Sequence, residues 1–398
     1  MDLGIKLSLI PPKLYPAYKT AVIFKAFKWD PQVEDINTVA RYSLLVSKKT
    51  VDDLQEKAEI LTTEVLQLEK ALLKKPELIS ELGLPKKVLN KISRIRSDKE
   101  NDVRLMRFDF HPTAEGWRLS EVNSDVPAGL AENSALPKIT QAMFPQGELG
   151  RNVVESLGQA FKKRLGGKAN IALIHATAYA DDRQIACCVA DYFNQIGLHS
   201  SLVAPNHIDW RQRHAYLAGS ELRFDGIYRH FPFEWLAQLS DKAQWLGYYD
   251  SLTPACNPAI AILSQSKRLP LLWDKLQLDV PGWRTMLPET KALEKKAGPG
   301  IWIYKPAYGR VGEGISINEA ISEKERKKIL KAVKYHKKYW VQQQKFNSEV
   351  LVGENNERFH LCLGVYTVCG KAAGFYGRIS EYARIDERAQ DIAVLIGE

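Results

Sequence analysis

The stretch that most constrains this chain runs from Met106 to Asn123. Met106-Arg107-Phe108-Asp109-Phe110 alternates large apolar residues with charged ones, and Trp117-Arg118-Leu119-Ser120-Glu121-Val122-Asn123 resumes the alternation after a Pro/Gly-bearing tip at 111–116. Period-2 alternation on both sides of a turn predicts an antiparallel hairpin. Arg107 and Asp109 then share one face of the first strand, and Glu121 and Asn123 share one face of the second. If the two faces coincide, an arginine, two carboxylates and an amide converge. The plainer alternative is a solvated face whose charges pair with one another, since exposed charges are the rule. Against it, Asn123 leads into Ser124-Asp125-Val126-Pro127-Ala128-Gly129, a turn-rich loop with a further acid. Carboxylate and amide oxygens suit Mg²⁺, which is usually held by one or two carboxylates plus substrate phosphates. An adjacent arginine suits the charge on a transferring phosphoryl group.

Composition narrows the class of partner. The chain has 398 residues and a net charge of +9, a balance that favours anionic ligands such as ATP, phosphates or nucleic acid. Its lysines, however, fall in short runs such as Lys74-Lys75, Lys295-Lys296 and Lys337-Lys338, which read as solvated faces. No basic stripe with interleaved aromatics stands out, which argues against nucleic acid. Five cysteines (Cys187, Cys188, Cys256, Cys362 and Cys369) lack metal-ligand spacing, and their odd number argues against a disulfide framework. The first residues lack the apolar core of a signal peptide, and no run reaches membrane-spanning length. A cytoplasmic location, with no membrane contact, is the expectation.

The chain divides into four expected parts. Residues 1–100 read as a mainly helical N-terminal region, dominated by apolar residues at three- and four-residue intervals from Leu54 to Leu72. Residues 101–165 hold the hairpin and two helices, at 130–143 and 148–164. Residues 166–255 alternate strand, helix and strand, which predicts a small parallel α/β layer. Ligands in such layers sit beyond the carboxyl ends of the strands, where His175, Thr177, Arg229 and His230 fall as candidates for a second substrate. No GxGxxG follows the first strand, so a dinucleotide site is unsupported. Residues 256–398 carry the remaining motifs.

Two of these motifs centre on lysines. Asn257 to Trp273 is an apolar helical turn, a basic pair containing Lys267, and a second apolar turn. Ile301 to Ile317 reads as strand, glycine-rich turn, strand, with Lys305 at the end of the first strand. Gly309 and Gly312 would let backbone N–H groups approach phosphate oxygens, and Arg310 adds charge. A Walker loop is excluded, because no GK[ST] is present. Beyond them, Ser322 with Glu325 three residues on is a capping-box start for a basic helix. The strand Trp340–Gln344 follows it, and 357–368 with 371–380 alternate like an antiparallel ribbon.

Together these blocks resemble the glutathionylspermidine synthase family of circularly permuted ATP-grasp amide ligases. The likeness rests on R-x-D, eleven residues, E-x-N and a D-x-P turn; on N-P-x(4)-L-S-x-x-K at Lys267; on the strand, Lys-Pro and glycine-rich loop at Lys305; and on a late G-x(3)-R segment ending at Arg378. It covers most of residues 105–380. It implies an α/β ATP-grasp-like fold with a small pre-ATP-grasp-like layer. Asp109, Glu121 and Asn123 would hold Mg²⁺, and Arg107 would contact the transferring phosphoryl group. Lys267, Lys305, Gly309, Arg310, Gly312 and Arg378 would contact ATP, with Gln343 on the adenine-binding strand. Ser266 replaces an Asn of the family pattern, and Glu381 to Ile385 departs from its Asn/Ser-rich stretch. The expected activity is joining a small-molecule or peptide carboxylate to an amine through an acyl phosphate. A phosphotransferase using the same ATP site, or a non-catalytic nucleotide-binding protein, are the alternatives.

Overall fold

The computed structural model describes residues 3–95, 101–293, 299–310 and 312–397. Lys295-Lys296 and Val311 lie outside the described residues.

The N-terminal part is less helical than its sequence suggests. It contains β1 (Ile5–Leu9), α1 (Tyr15–Lys25), β2 (Val39–Ser47) and α2 (Lys48–Lys74). Strand β2 is mostly buried, so its sequence shows little polar alternation and no clear strand period. Helix α2 starts where Ser47 accepts a hydrogen bond from the Thr50 N–H. Its apolar stripe, Leu54, Ala58, Leu61, Val65, Leu68 and Leu72, is essentially unexposed. Each such leucine or valine contributes about 1.5–3 kcal/mol by leaving water.

The expected hairpin is β3 (Leu105–Thr113) and β4 (Gly116–Asn123). Helices α3 (Leu130–Met143) and α4 (Val153–Leu165) follow, the second starting later than expected because Asn152 caps it. The α/β layer contains β5 (Asn170–His175), α5 (Ala180–Gln195), β6 (His199–Val203), β7 (Gly226–His230) and β8 (Ala255–Cys256). All its strand pairs are parallel, in the order β8-β7-β5-β6. Then come α6 (Ala261–Gln265), β9 (Thr290–Lys291) and β10 (Trp302–Pro306). The chain ends with α7 (Glu323–Tyr335), β11 (Trp340–Gln344), β12 (Val350–Val352), β13 (Arg358–Val368), β14 (Lys371–Ser380) and β15 (Gln390–Gly397). One expected strand is absent. Residues 315–317 form no strand; Ser316 alone bonds to the free edge of β10, its N–H donating to the Tyr304 carbonyl at 3.1 Å and its hydroxyl accepting from the Tyr304 N–H at 2.7 Å.

The largest sheet runs β1-β2-β15-β14-β13-β3-β4, with β12 added on β13. Its two faces differ in chemistry. Phe108, Phe110, Leu361, Leu363 and Val365 share the core in which α2 is buried, and the Thr62 hydroxyl of α2 meets that of Thr367 at 2.9 Å. The alternate residues, Arg107, Asp109, Cys362, Gly364, Tyr376 and Arg378, form the opposite face. A separate small sheet, β9-β11-β10, stands across from the hairpin.

A buried ion pair ties the α/β layer to the hairpin. Arg229 of β7 lies 2.5 Å from Asp125, and both side chains are almost wholly buried. Asp125 also accepts from the Phe233 N–H at 2.8 Å. Removing one partner of such a pair strands a charge out of water. We expect Asp125→Ala to lower unfolding free energy by about 3–5 kcal/mol, read as a lower urea midpoint. An unchanged midpoint would remove this pair as a structural tie.

Candidate functional site

The hairpin does not pair in simple alternation from its tip. Thr113 faces Gly116, His111 faces Arg118 and Phe110 faces Leu119, but the register then shifts so that Asp109 faces Glu121 and Arg107 faces Asn123. Ser120 is the extra residue of a β-bulge, a device that re-aims side chains. Unbroken pairing would have set Ser120 and Val122 opposite Asp109 and Arg107. The bulge moves Glu121 and Asn123 onto their face. Four of the candidate site residues thereby converge.

Their contacts are tight. The Arg107 guanidinium donates to both Asp109 oxygens, at 2.7 and 2.9 Å, and to the Ala128 carbonyl at 2.7 Å. The Asn123 amide donates to Asp109 at 3.1 Å. Lys267, just beyond α6, lies 2.8 Å from Glu121 and donates to the Gly309 carbonyl at 2.9 Å. Lys305 on β10 donates to the Ser120 carbonyl at 3.3 Å. Burial alone would raise the Glu121 carboxyl, but Lys267 and Lys305 overcome it and hold the group at about 2. Burial pushes Lys305 down to about 8, with Glu121 opposing and Lys267 adding to the shift.

These groups bound one side of a cavity of about 370 Å³ between the large sheet and the small one. Asp109, Glu121, Lys305, Gly312 and Arg378 line it. Arg378 has no ion-pair or hydrogen-bond partner among the described residues, and its Nε is buried without one. An unpaired, half-buried guanidinium in a cavity wall is suited to an anion. Ile303, Ile315, Ile317 and Phe346 supply an apolar part of the wall.

The remaining candidates sit around this core. Gly309 packs against Pro306, where an added Cβ would lie 2.4 Å from the ring. Gly312 has a φ of +69°, and a Cβ there would meet the Ile385 carbonyl at 2.7 Å. Arg310 turns away from the cavity. It holds Glu234 at 2.7 Å and lies 3.6 Å from Asp125, fastening the glycine-rich loop to the α/β layer. Gln343 is on the central strand of the small sheet; its amide donates to Thr290, and it is not a lining residue. The next segment, Lys345 to Ser348, does line the cavity.

His175 and His230 pair on adjacent strands of the α/β layer, outside this cavity. Burial lowers His175, and burial with Arg310 holds His230 at about 3, so both are neutral. Several cavity residues carried no usable pattern in the sequence. His111, kept neutral by burial at about 4, meets Ser120 at 3.1 Å, and His360 meets Ser348 at 2.7 Å. His111 sits in the hairpin tip and lay in view; its partner depends on the bulge.

The donor set also fits a hard divalent cation. Two carboxylates and an amide oxygen lie on one face, with Glu121 ionised throughout the physiological range. No cluster of three His, Cys, Asp or Glu is found among the described residues. Two carboxylates plus ligand phosphates are a usual environment for Mg²⁺.

Comparisons with known proteins bear on the fold and the family. The glutathione synthetase-like effector GSS30 of Globodera pallida, in its apo form, has a similar fold. Its TM-score is 0.67 at 11% identity, covering 97% of this chain and 98% of that one. A putative gamma-glutamylcysteine synthetase from Methylobacillus flagellatus KT also matches, with a TM-score of 0.47 at 14% identity, covering 84% of this chain and 88% of that one. No curated protein matches the chain. Residues 13–396 match the family described as glutathionylspermidine synthase preATP-grasp. The chain belongs to that family.

Proposed function

We propose that this protein is an ATP- and Mg²⁺-dependent, ADP-forming ligase that joins a carboxylate to an amine. One observation carries the reading. Arg107, Asp109, Glu121, Asn123, Lys267 and Lys305 come from three separate stretches and form one cluster, of which Asp109, Glu121 and Lys305 line the cavity. The apolar wall at Ile303, Ile317 and Phe346 suits a nucleobase, and the cationic end suits its phosphates. Family membership supports the ligase class, and the effector of similar fold is described as glutathione synthetase-like.

In this mechanism a substrate carboxylate oxygen attacks the γ-phosphorus of ATP and ADP leaves. The neutral amine then attacks the acyl carbon, phosphate leaves with the C–O bond, and the nitrogen sheds a proton to give the amide. Lys305, Lys267 and Arg378 offset charge on the phosphate oxygens, and Arg107 sits beside the metal donors to steady the transferring group. Mg²⁺ on Asp109, Glu121 and Asn123 would neutralise charge on the phosphates. Positioning and fixed charge therefore do the catalysis, with no side-chain nucleophile required.

The first test is product analysis with Mg²⁺, ATP and a panel of peptides and amines. ADP formation coupled to loss of water between acid and amine is expected; a phosphate ester would make the protein a kinase instead. Glu121→Gln is expected to lower kcat by about 10²- to 10³-fold and to raise the Mg²⁺ needed for half-maximal rate. Equal rates at equal Mg²⁺ would remove Glu121 from the site.

Lys305 also sets a pH dependence. Its folded value of about 8 means it is charged below that pH and neutral above it. ATP binding needs the charged form, so affinity stays level up to about pH 8 and weakens beyond it. The slope should approach about tenfold per pH unit, followed by calorimetry from pH 7.5 upward. Lys305→Arg keeps the charge and should flatten the profile.

A further inference from the structure

Arg107 and Arg378 are the two guanidiniums on the polar face of the large sheet nearest the metal donors, and one aromatic ring lies between them. The carbon at the centre of the Arg107 guanidinium is 5.1 Å from the centroid of the Tyr376 ring, and that of Arg378 is 5.7 Å away. Both fall within the range in which a cation is drawn to a ring face. Tyr376 does not line the cavity itself. The geometry points to Tyr376 as the positioning residue that holds both arginines at their working places.

The surroundings are built to fix that ring. Gly364 of β13 stands between Asp109 and Tyr376 in the sheet. A Cβ at Gly364 would come within 2.7 Å of Arg107 Cδ, so the glycine opens the lane through which Arg107 reaches the ring. Gly129 covers the ring from above, where a Cβ would lie 2.6 Å from it. The Tyr376 hydroxyl donates to Asp391 at 2.6 Å, and Asp391 is held by Lys28 at 2.6 Å. Lys28 also lies 3.1 Å from Glu132, whose carboxylate accepts from Gln184. The ring is thus anchored to buried charges of α3 and β15.

The two arginines need this help for different reasons. Arg107 is already held through Nε and one Nη by Asp109 and through the other Nη by the Ala128 carbonyl, and the ring backs the face of that plane. Arg378 has no carboxylate partner among the described residues, so the ring is its main support. Holding an unpaired cation with a ring leaves its N–H groups free for an anion, whereas a carboxylate would consume them.

What the arginines do when so held rests on the proposed ligase reading; the clamp itself does not. Three variants separate the possibilities. Tyr376→Phe keeps the ring and should retain kcat within threefold. Tyr376→Leu removes the ring and should lower kcat by at least 30-fold and also weaken ATP binding, because Arg378 loses its support. A fluorinated phenylalanine series at position 376 keeps shape while weakening the ring quadrupole, and should lower kcat in step with fluorination. That series also covers the case in which Tyr376→Leu fails to fold. Flat kcat across the series, or equal losses in the Phe and Leu variants, would overturn the proposal. Should wild type turn over no ATP with any substrate, a crystal structure of the most fluorinated variant decides. Displaced Arg107 and Arg378 support the clamp although the ligase reading has failed, and unmoved side chains reject it.

Discussion

Every residue of β3 from Leu105 to Thr113 is buried, yet the strand carries Arg107, Asp109 and His111. A charge out of water must be paired, hydrogen-bonded or neutralised. Asp109 is therefore bound by Arg107 and Asn123, Glu121 by Lys267, and His111 is neutral. That requirement organises the rest of the molecule. Lys267 comes from the stretch just beyond α6, Lys305 from the small sheet, and the apolar alternate face of β3 is covered by α2. The hairpin is the place where the parts of the chain meet.

The same neutralised charges explain how the site is poised. Glu121 is kept ionised by two lysines, while one of those lysines is itself loosened by burial. A polyanion entering the cavity would replace carboxylates as the partner of Lys305 and Lys267. The carboxylates so released are then available to a cation.

Much of this was legible in the chain. Alternation at Met106 to Asn123, the three- and four-residue spacing of Leu54 to Leu72, and the Ser322 cap all mark local periodicity, and each forms as expected. What stayed hidden depends on distant partners. Strand β2 was obscured because a mostly buried strand loses its polar alternation, whereas the alternation of β1, Ile5-Lys6-Leu7-Ser8-Leu9, runs over only five residues. Arg310, read as a cavity charge, is drawn off by Glu234, which lies in a segment that no local pattern connects to it. The cavity residues of Lys345 to Ser348 follow a strand whose interior suggested Gln343 instead. The role of Tyr376 needs three strands and two glycines to be in register, none of it visible in a window of ten residues.

The bulge at Ser120 bears on how such a hairpin can change over time. Residues 113 to 116 can in principle be exchanged for another turn, since the strands beyond them set their own pairing. The paired stretches on either side, 107–112 and 117–123, have no such freedom. Inserting or deleting one residue within either would reverse which side of the strand Glu121 and Asn123 occupy, sending both toward the leucines of α2 and bringing Val122 to the polar face. The paired strands can therefore be lengthened only in pairs, or with a second bulge that restores parity.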